Sequence, residues 1–148
     1  MVQSLAVQYF PYTGDSSWIG LVREMFDYQL NHGTTPSHFK WPGVPYASSD
    51  PFETEYQGAT LWETDGFRGD GLHGIEPDKV GELGFAYVRF FEISGEKKYL
   101  NAAIRCADAL AANVNNPVSA DNLLSSTDIS RSPWPFRVNA RTGAIISH

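Results

Sequence analysis

The stretch IEPDKVGELGFAYVRFFEISGEKKYLNAAIRCADAL, residues 75–110, decides the fold. Val80, Leu83, Gly84, Tyr87, Val88 and Phe91 recur at three- and four-residue steps, which predicts a helix with one apolar stripe. Pro77 behind Glu76 suits the first helical turn, where a missing N–H removes no bond. Gly95 supplies the left-handed stop that a Cβ would penalise, and Glu96 favours the next N-terminus. Tyr99, Leu100, Ala103, Ile104, Ala107 and Leu110 then form a second stripe, which Asn113 to Pro117 ends. The expected unit is helix, tight turn, helix.

An offset of 81 positions brings an earlier stretch, YTGDSSWIGLVREMFDYQL at 12–30, onto the same pattern. Val7 meets Val88, Phe10 meets Phe91, and Thr13-Gly14-Asp15 meets Ser94-Gly95-Glu96. Trp18-Ile19 meets Tyr99-Leu100, Asp27 meets Asp108, and Pro36 meets Pro117. A match at a fixed offset marks a repeated supersecondary unit. In the first copy Trp18, Ile19, Val22, Met25, Phe26 and Leu30 are expected to share a face. Its opening helix reads as the short tail of residues 4–10, limited by Pro11.

The expectation is therefore an all-α, single-domain chain over 1–148, with αα-hairpin units at about 4–33 and 77–114. The long loops 34–76 and 115–148 should lie together, at the end opposite the tight turns. Loops beyond ~12–15 residues in a compact fold usually carry function. These hold Trp41, Tyr46, Tyr56, Trp62, Phe67, Trp134 and Phe136.

Composition bounds the partners. Seventeen acidic against eleven basic residues give −6, which argues against nucleic acid and, less strongly, against a polyanionic glycan. Hydrophobic content of 42% with 19% charged residues fits a soluble folded chain. No stretch reaches the ~18 apolar residues of a membrane span, and the start MVQSLAVQYFPY lacks signal-peptide character. The compartment stays open. The one cysteine, Cys106, falls on an apolar helix side and reads as a buried, inert thiol.

A helix ending in an aromatic pair, followed by SGEKKYLNAA or TGDSSWIGLV, resembles the hairpin repeat of the (α/α)6-toroid, six-hairpin carbohydrate-active enzymes. The resemblance covers roughly residues 4–31 and 77–117. It implies a partial α/α toroid that acts on an oligosaccharide: a glycoside hydrolase first, a polysaccharide lyase or sugar epimerase otherwise. A complete toroid has six hairpins and two are counted here, so a homo-oligomer is expected. The alternative is a glycan-binding or protein-interaction module without catalysis.

Glycoside hydrolysis needs two carboxyl groups across the scissile bond. Asp65 and Asp70, in a glycine-rich loop, are the first candidate pair, with Glu76 and Glu82 next. Against this, an acidic loop is often simply solvated, and Glu76 and Asp78 suit a helix N-terminus. Calcium at Asp65 and Asp70 is a weaker reading; no other cofactor or metal is expected. Trp41, Tyr46, Trp62 and Trp134 are candidates to stack on sugar faces, with Arg137 and Asn139 bonding hydroxyls or a carboxylate. The competing reading packs these rings onto the helix ends. GDGLHG, 69–74, formally fits a dinucleotide fingerprint, but no β-run precedes it and the helix starts later. His38 and His73 stand as minor candidates for a base, and His32 as a helix C-terminal cap.

Overall fold

The computed structural model describes residues 4–49, 54–59, 62–63, 66–67, 70–114 and 133–146. The described chain is mostly helical. A π-helical segment, Leu5–Tyr9, runs into α1, Phe10–Thr13. Then come α2, Ile19–His32, and the long pair α3, Pro77–Ser94, and α4, Lys97–Ala112. Among the described residues, four two-residue strands form two antiparallel pairs. β1, Trp62–Glu63, meets β2, Gly66–Phe67; β3, Gly74–Ile75, meets β4, Val138–Asn139. The apolar periodicity of the sequence carries no sign of these strands.

The predicted helix limits hold in α3. Pro77 occupies its first turn, and Gly95 ends it at φ 70°, with its N–H donated to Phe91 O at 2.8 Å. Gly14, 81 residues earlier, ends α1 at φ 68°, with its N–H donated to Phe10 O at 2.8 Å. Pro11 does not stop the first helix. Lacking an N–H, it cannot bond the carbonyl four residues back. Next to it the ladder loosens: Phe10 N–H donates to Leu5 O, five residues back.

Two cores hold the elements together. In the first, Val22 and Phe26 of α2 meet Ala86, Tyr87 and Phe90 of α3 and Tyr99, Ala102 and Ala103 of α4. Phe26 stands edge-on to Phe90, with ring centroids 5.4 Å apart. Gly84 lets α3 and α4 approach closely, since a Cβ there would lie 3.0 Å from Cys106 Cβ. Cys106 is buried in this crossing, which pushes its thiol pKa up to about 11. Met25 departs from expectation: it is exposed, in a stripe with Leu21 and Tyr28 on the outer side of α2.

The second core joins the long loops to the open ends of α3 and α4. Phe39, Trp41, Val44 and Tyr46 pack with Ile75, Val80, Cys106, Ala109, Val138 and Ala140. Trp41 N–H donates to Ala140 O at 2.9 Å, so segment 33–46 lies along the 138–146 turn. Gly95 and its tight turn lie at the far end of the hairpin. Across that end, Arg23 Nε meets Glu96 Oε1 at 2.7 Å and Lys98 Nζ meets Asp27 Oδ1 at 2.7 Å, tying α2 to the turn.

Candidate functional site

The loop from Asp70 to Glu76 is shaped by backbone contact before any side chain matters. Gly58 has φ 91°, and a Cβ there would fall 2.1 Å from Gly71 O. A Cβ on Gly74 would fall 2.1 Å from Asp70 O. Only glycine fits at either place. Gly71 N–H donates to Ala59 O at 3.0 Å, and β3 follows on to β4, which sets Glu76 beside residue 137.

This loop brings Asp70, Glu76 and Arg137 into one buried cluster. Arg137 Nε donates to Glu76 Oε1 at 3.0 Å and lies 2.8 Å from Asp70 Oδ1. Glu76 Oε2 takes Lys79 Nζ at 2.7 Å, one helical turn on. Ser48 Oγ donates to Asp70 Oδ2 and accepts the Ala59 N–H at 3.2 Å. Asp70 is 4% exposed and Glu76 3%. Burial alone would raise the pKa of Glu76; bonds with Lys79, Asp70 and Arg137 outweigh it, and the net shift is downward. Arg137 Nε thus touches both carboxylates, and Asp70 and Glu76 also bond to each other.

A cleft of about 430 Å³ opens beside the cluster. Pro77, Asp78, Gly81 and Glu82 of α3 form one wall, Leu110 the floor, and Trp134, Pro135 and Phe136 the other wall. Trp134 Nε1 donates to Leu110 O at 2.9 Å, at the carbonyl end of α4, which fixes the indole edge. Phe136 is 60% exposed, and the Arg137 guanidinium lies 5.1 Å from its ring centre. Residues 134–137 therefore serve both features: the rings line the cleft and the arginine enters the cluster.

Of the residues singled out in the sequence, Asp70, Glu76 and Arg137 come together in the cluster, and Glu82 and Trp134 in the cleft. Asp65 lies outside the described residues. Trp62 falls in β1, paired with Phe67. Trp41 and Tyr46 are core residues, 2% and 7% exposed, and offer no open face to a sugar. The two oxygens of Asp70 face Ser48 and Arg137. Asn139 uses its side chain within its own turn and on Leu72 O. His32 Nδ1 meets Glu55 Oε1 at 2.7 Å rather than capping its helix.

His73 differs from the other histidines. Its φ is 64°, a strained value for a residue with a Cβ, and its Nδ1 has no partner among the described residues. Its ring packs 5.0 Å from Phe39. Burial, then Arg141, lowers its pKa and keeps it neutral near pH 7. Sequence reasoning passed over Lys79, and it read Asp78 only as a helix N-terminal residue and Phe136 only as one of the loop aromatics. The i, i+3 spacing of Glu76 to Lys79 and the i, i+4 spacing of Asp78 to Glu82 were the available signals.

Compared with known proteins, the chain matches no family model, no curated protein and no solved structure. Among the described residues no helix is long and apolar enough to cross a membrane, and no three metal-ligating side chains converge.

Proposed function

We propose that this chain is an oligosaccharide-binding αα-hairpin protein whose ligand lies in the cleft between Asp78–Glu82 and Trp134–Phe136. One observation carries the reading: two exposed carboxylates face aromatic rings across about 430 Å³, a size and mix that suit a small ligand. Sugar C–H faces stack on such rings while carboxylates accept hydroxyl protons. The buried Asp70–Arg137–Glu76 cluster then serves as the clasp that sets the 134–136 wall. Calorimetric titration with neutral oligosaccharides tests this. Binding should be saturable and lost in Trp134→Ala, and intact binding in that variant would refute the cleft.

Hydrolysis is the second reading, and Glu82 favours it, being the one predicted catalytic carboxylate among the described residues that lines the cleft. Turnover of chromogenic glycosides that Glu82→Gln abolishes would establish it; unaltered turnover would exclude Glu82. A lyase or epimerase acting on acidic sugars draws less support, because Arg137 is engaged by Asp70 and Glu76.

The toroid-like repeat belongs to the same proposal. It is supported by the matching left-handed caps at Gly14 and Gly95, each closed by a 2.8 Å bond. Self-association is supported by the exposed Leu21, Met25 and Tyr28 stripe. Light scattering decides that part; a monodisperse monomer would remove it.

A further inference from the structure

We infer that copies of this chain associate head to tail, the α4 face of one copy docking on the outer α2 face of the next; this deepens the self-association reading above and rests on it. The 81-residue offset relates the two hairpins face by face. Inside the chain, Val22 and Phe26 of α2 pack on Phe90, Tyr99 and Ala102, which are at most 2% exposed. In the first hairpin the same positions are Tyr9, Trp18 and Leu21. Trp18 is half-buried, Tyr9 is 42% exposed and Leu21 62%. Met25 and Tyr28 extend this patch, although Tyr28 leans on Tyr56 and its hydroxyl donates to Thr54 O. Their counterparts, Cys106 and Ala109, are buried in the core that holds Trp41 and Val44. The second hairpin shows the reverse. Ala107 and Ala111 stand where Phe26 and Leu30 stand in the first, and with Ile104 they are exposed on α4.

Side-chain size points to a second copy as the occupant. In the internal contact the first hairpin contributes the large Phe26 and Leu30, which share a core with the small Ala102 and Ala103. At the two free faces the sizes are exchanged: Leu21, Met25 and Tyr28 are large, and Ala107 and Ala111 are small. A ridge and a flat strip related by the same offset can pack on each other between copies. Charge agrees. Of the charged side chains of α2, Arg23 and Asp27 are engaged with Glu96 and Lys98, and His32 with Glu55, which leaves Glu24 beside the patch. On α4, Lys98 is engaged with Asp27 and Glu96, and Lys97, Arg105 and Asp108 border the alanine strip. The α2 edge is thus negative and the α4 edge net positive. Because the two faces differ, each contact uses one of each and leaves one of each free. Association therefore continues past a pair, to a ring or a filament.

Light scattering and sedimentation across a concentration series test this with two variants at exposed positions, Leu21→Glu and Ala107→Glu, each checked for fold by circular dichroism. The wild type should form species of more than two chains as concentration rises. Each variant alone should be monomeric. An equimolar mixture should give a particle of two chains and nothing larger, since the intact α4 face of the Leu21→Glu variant docks on the intact α2 face of the other. Wild-type growth that stops at a dimer overturns the inference, because a two-fold pair uses one patch twice. So does an assembly that either variant leaves intact, or a mixture that stays monomeric; in each of these the self-association reading stands. A wild type that is monomeric at every concentration overturns both and leaves the oligosaccharide reading untouched.

Discussion

Arg137 Nε lies 2.8 Å from Asp70 Oδ1, with both side chains largely buried, and this contact joins two segments 67 residues apart in sequence. Glu76 shares the same nitrogen, so one guanidinium is divided between two carboxylates that have little access to water, with Lys79 as the second cation on Glu76. Removing one member of a buried ion cluster leaves the others uncompensated. Arg137→Ala should therefore lower stability by about 3–5 kcal/mol. Adding Asp70→Asn to that variant should restore part of the loss. Denaturant unfolding measures both, and a loss below about 1 kcal/mol, as expected of a surface pair, would show that the cluster is not a clasp.

Acid should weaken the same contact. Glu76 has its pKa held below the ordinary 4.5 in the folded chain. A depressed carboxylate contributes stability that is present above its unfolded pKa and lost as pH falls through the folded value. Asp27, also lowered because Lys98 and Tyr99 outweigh its partial burial, adds a smaller effect of the same sign. Melting temperature should thus hold steady near neutrality and fall below about pH 4.5. Glu76→Gln, less stable at pH 7, should show a shallower fall; an identical acid limb would assign the effect elsewhere.

Gly58 should tolerate no side chain. Its φ of 91° and the 2.1 Å approach of Gly71 O leave a Cβ no position. Gly58→Ala should cost about 1–3 kcal/mol from backbone strain, with the clash added. Exposed Gly20, with nothing within 4 Å of its Cβ position, is the matched control. Gly20→Ala should be neutral or slightly stabilising. Similar melting temperatures for the two variants would contradict the packing described for this loop.

Tyr87 points to a gain rather than a loss. Its ring is buried against Phe26, 4.8 Å between centroids, but its hydroxyl is buried with no partner among the described residues. Burial accordingly raises its pKa strongly. Tyr87→Phe keeps the ring and removes the dehydrated O–H, so stability should rise by about 1 kcal/mol. A comparable loss would mean that the hydroxyl has a partner.

Much of the helical frame was legible in the sequence, for a local reason. Pro77, Gly95 and the apolar steps between them specify α3 through contacts within a few residues, and Gly14 does the same for α1. Met25 was misplaced because Trp18, Val22, Phe26 and Leu30 define a face that Met25 only borders. The site was less legible. Asp70 and Glu76 were singled out for their loop, but their burial depends on Arg137, which arrives from the other end of the chain. Trp41 and Trp134 have similar proline-flanked settings, FKWPG and SPWPF. One is buried among Val44, Val80 and Val138 and the other lines the cleft. Local sequence does not encode that difference; it follows from which loop lies inside the other.

The central claim is that sugar binds between α3 and the 134–136 wall, and Trp134 reports on it directly. Its indole N–H donates to Leu110 O, so it should give a distinct signal in the ¹⁵N spectrum, assigned by its loss in Trp134→Phe. Titration with oligosaccharide should shift that signal together with the amides of Glu82 and Phe136, while buried Trp41 stays still. Shifts confined to other surfaces, or none at saturating sugar, would contradict the account.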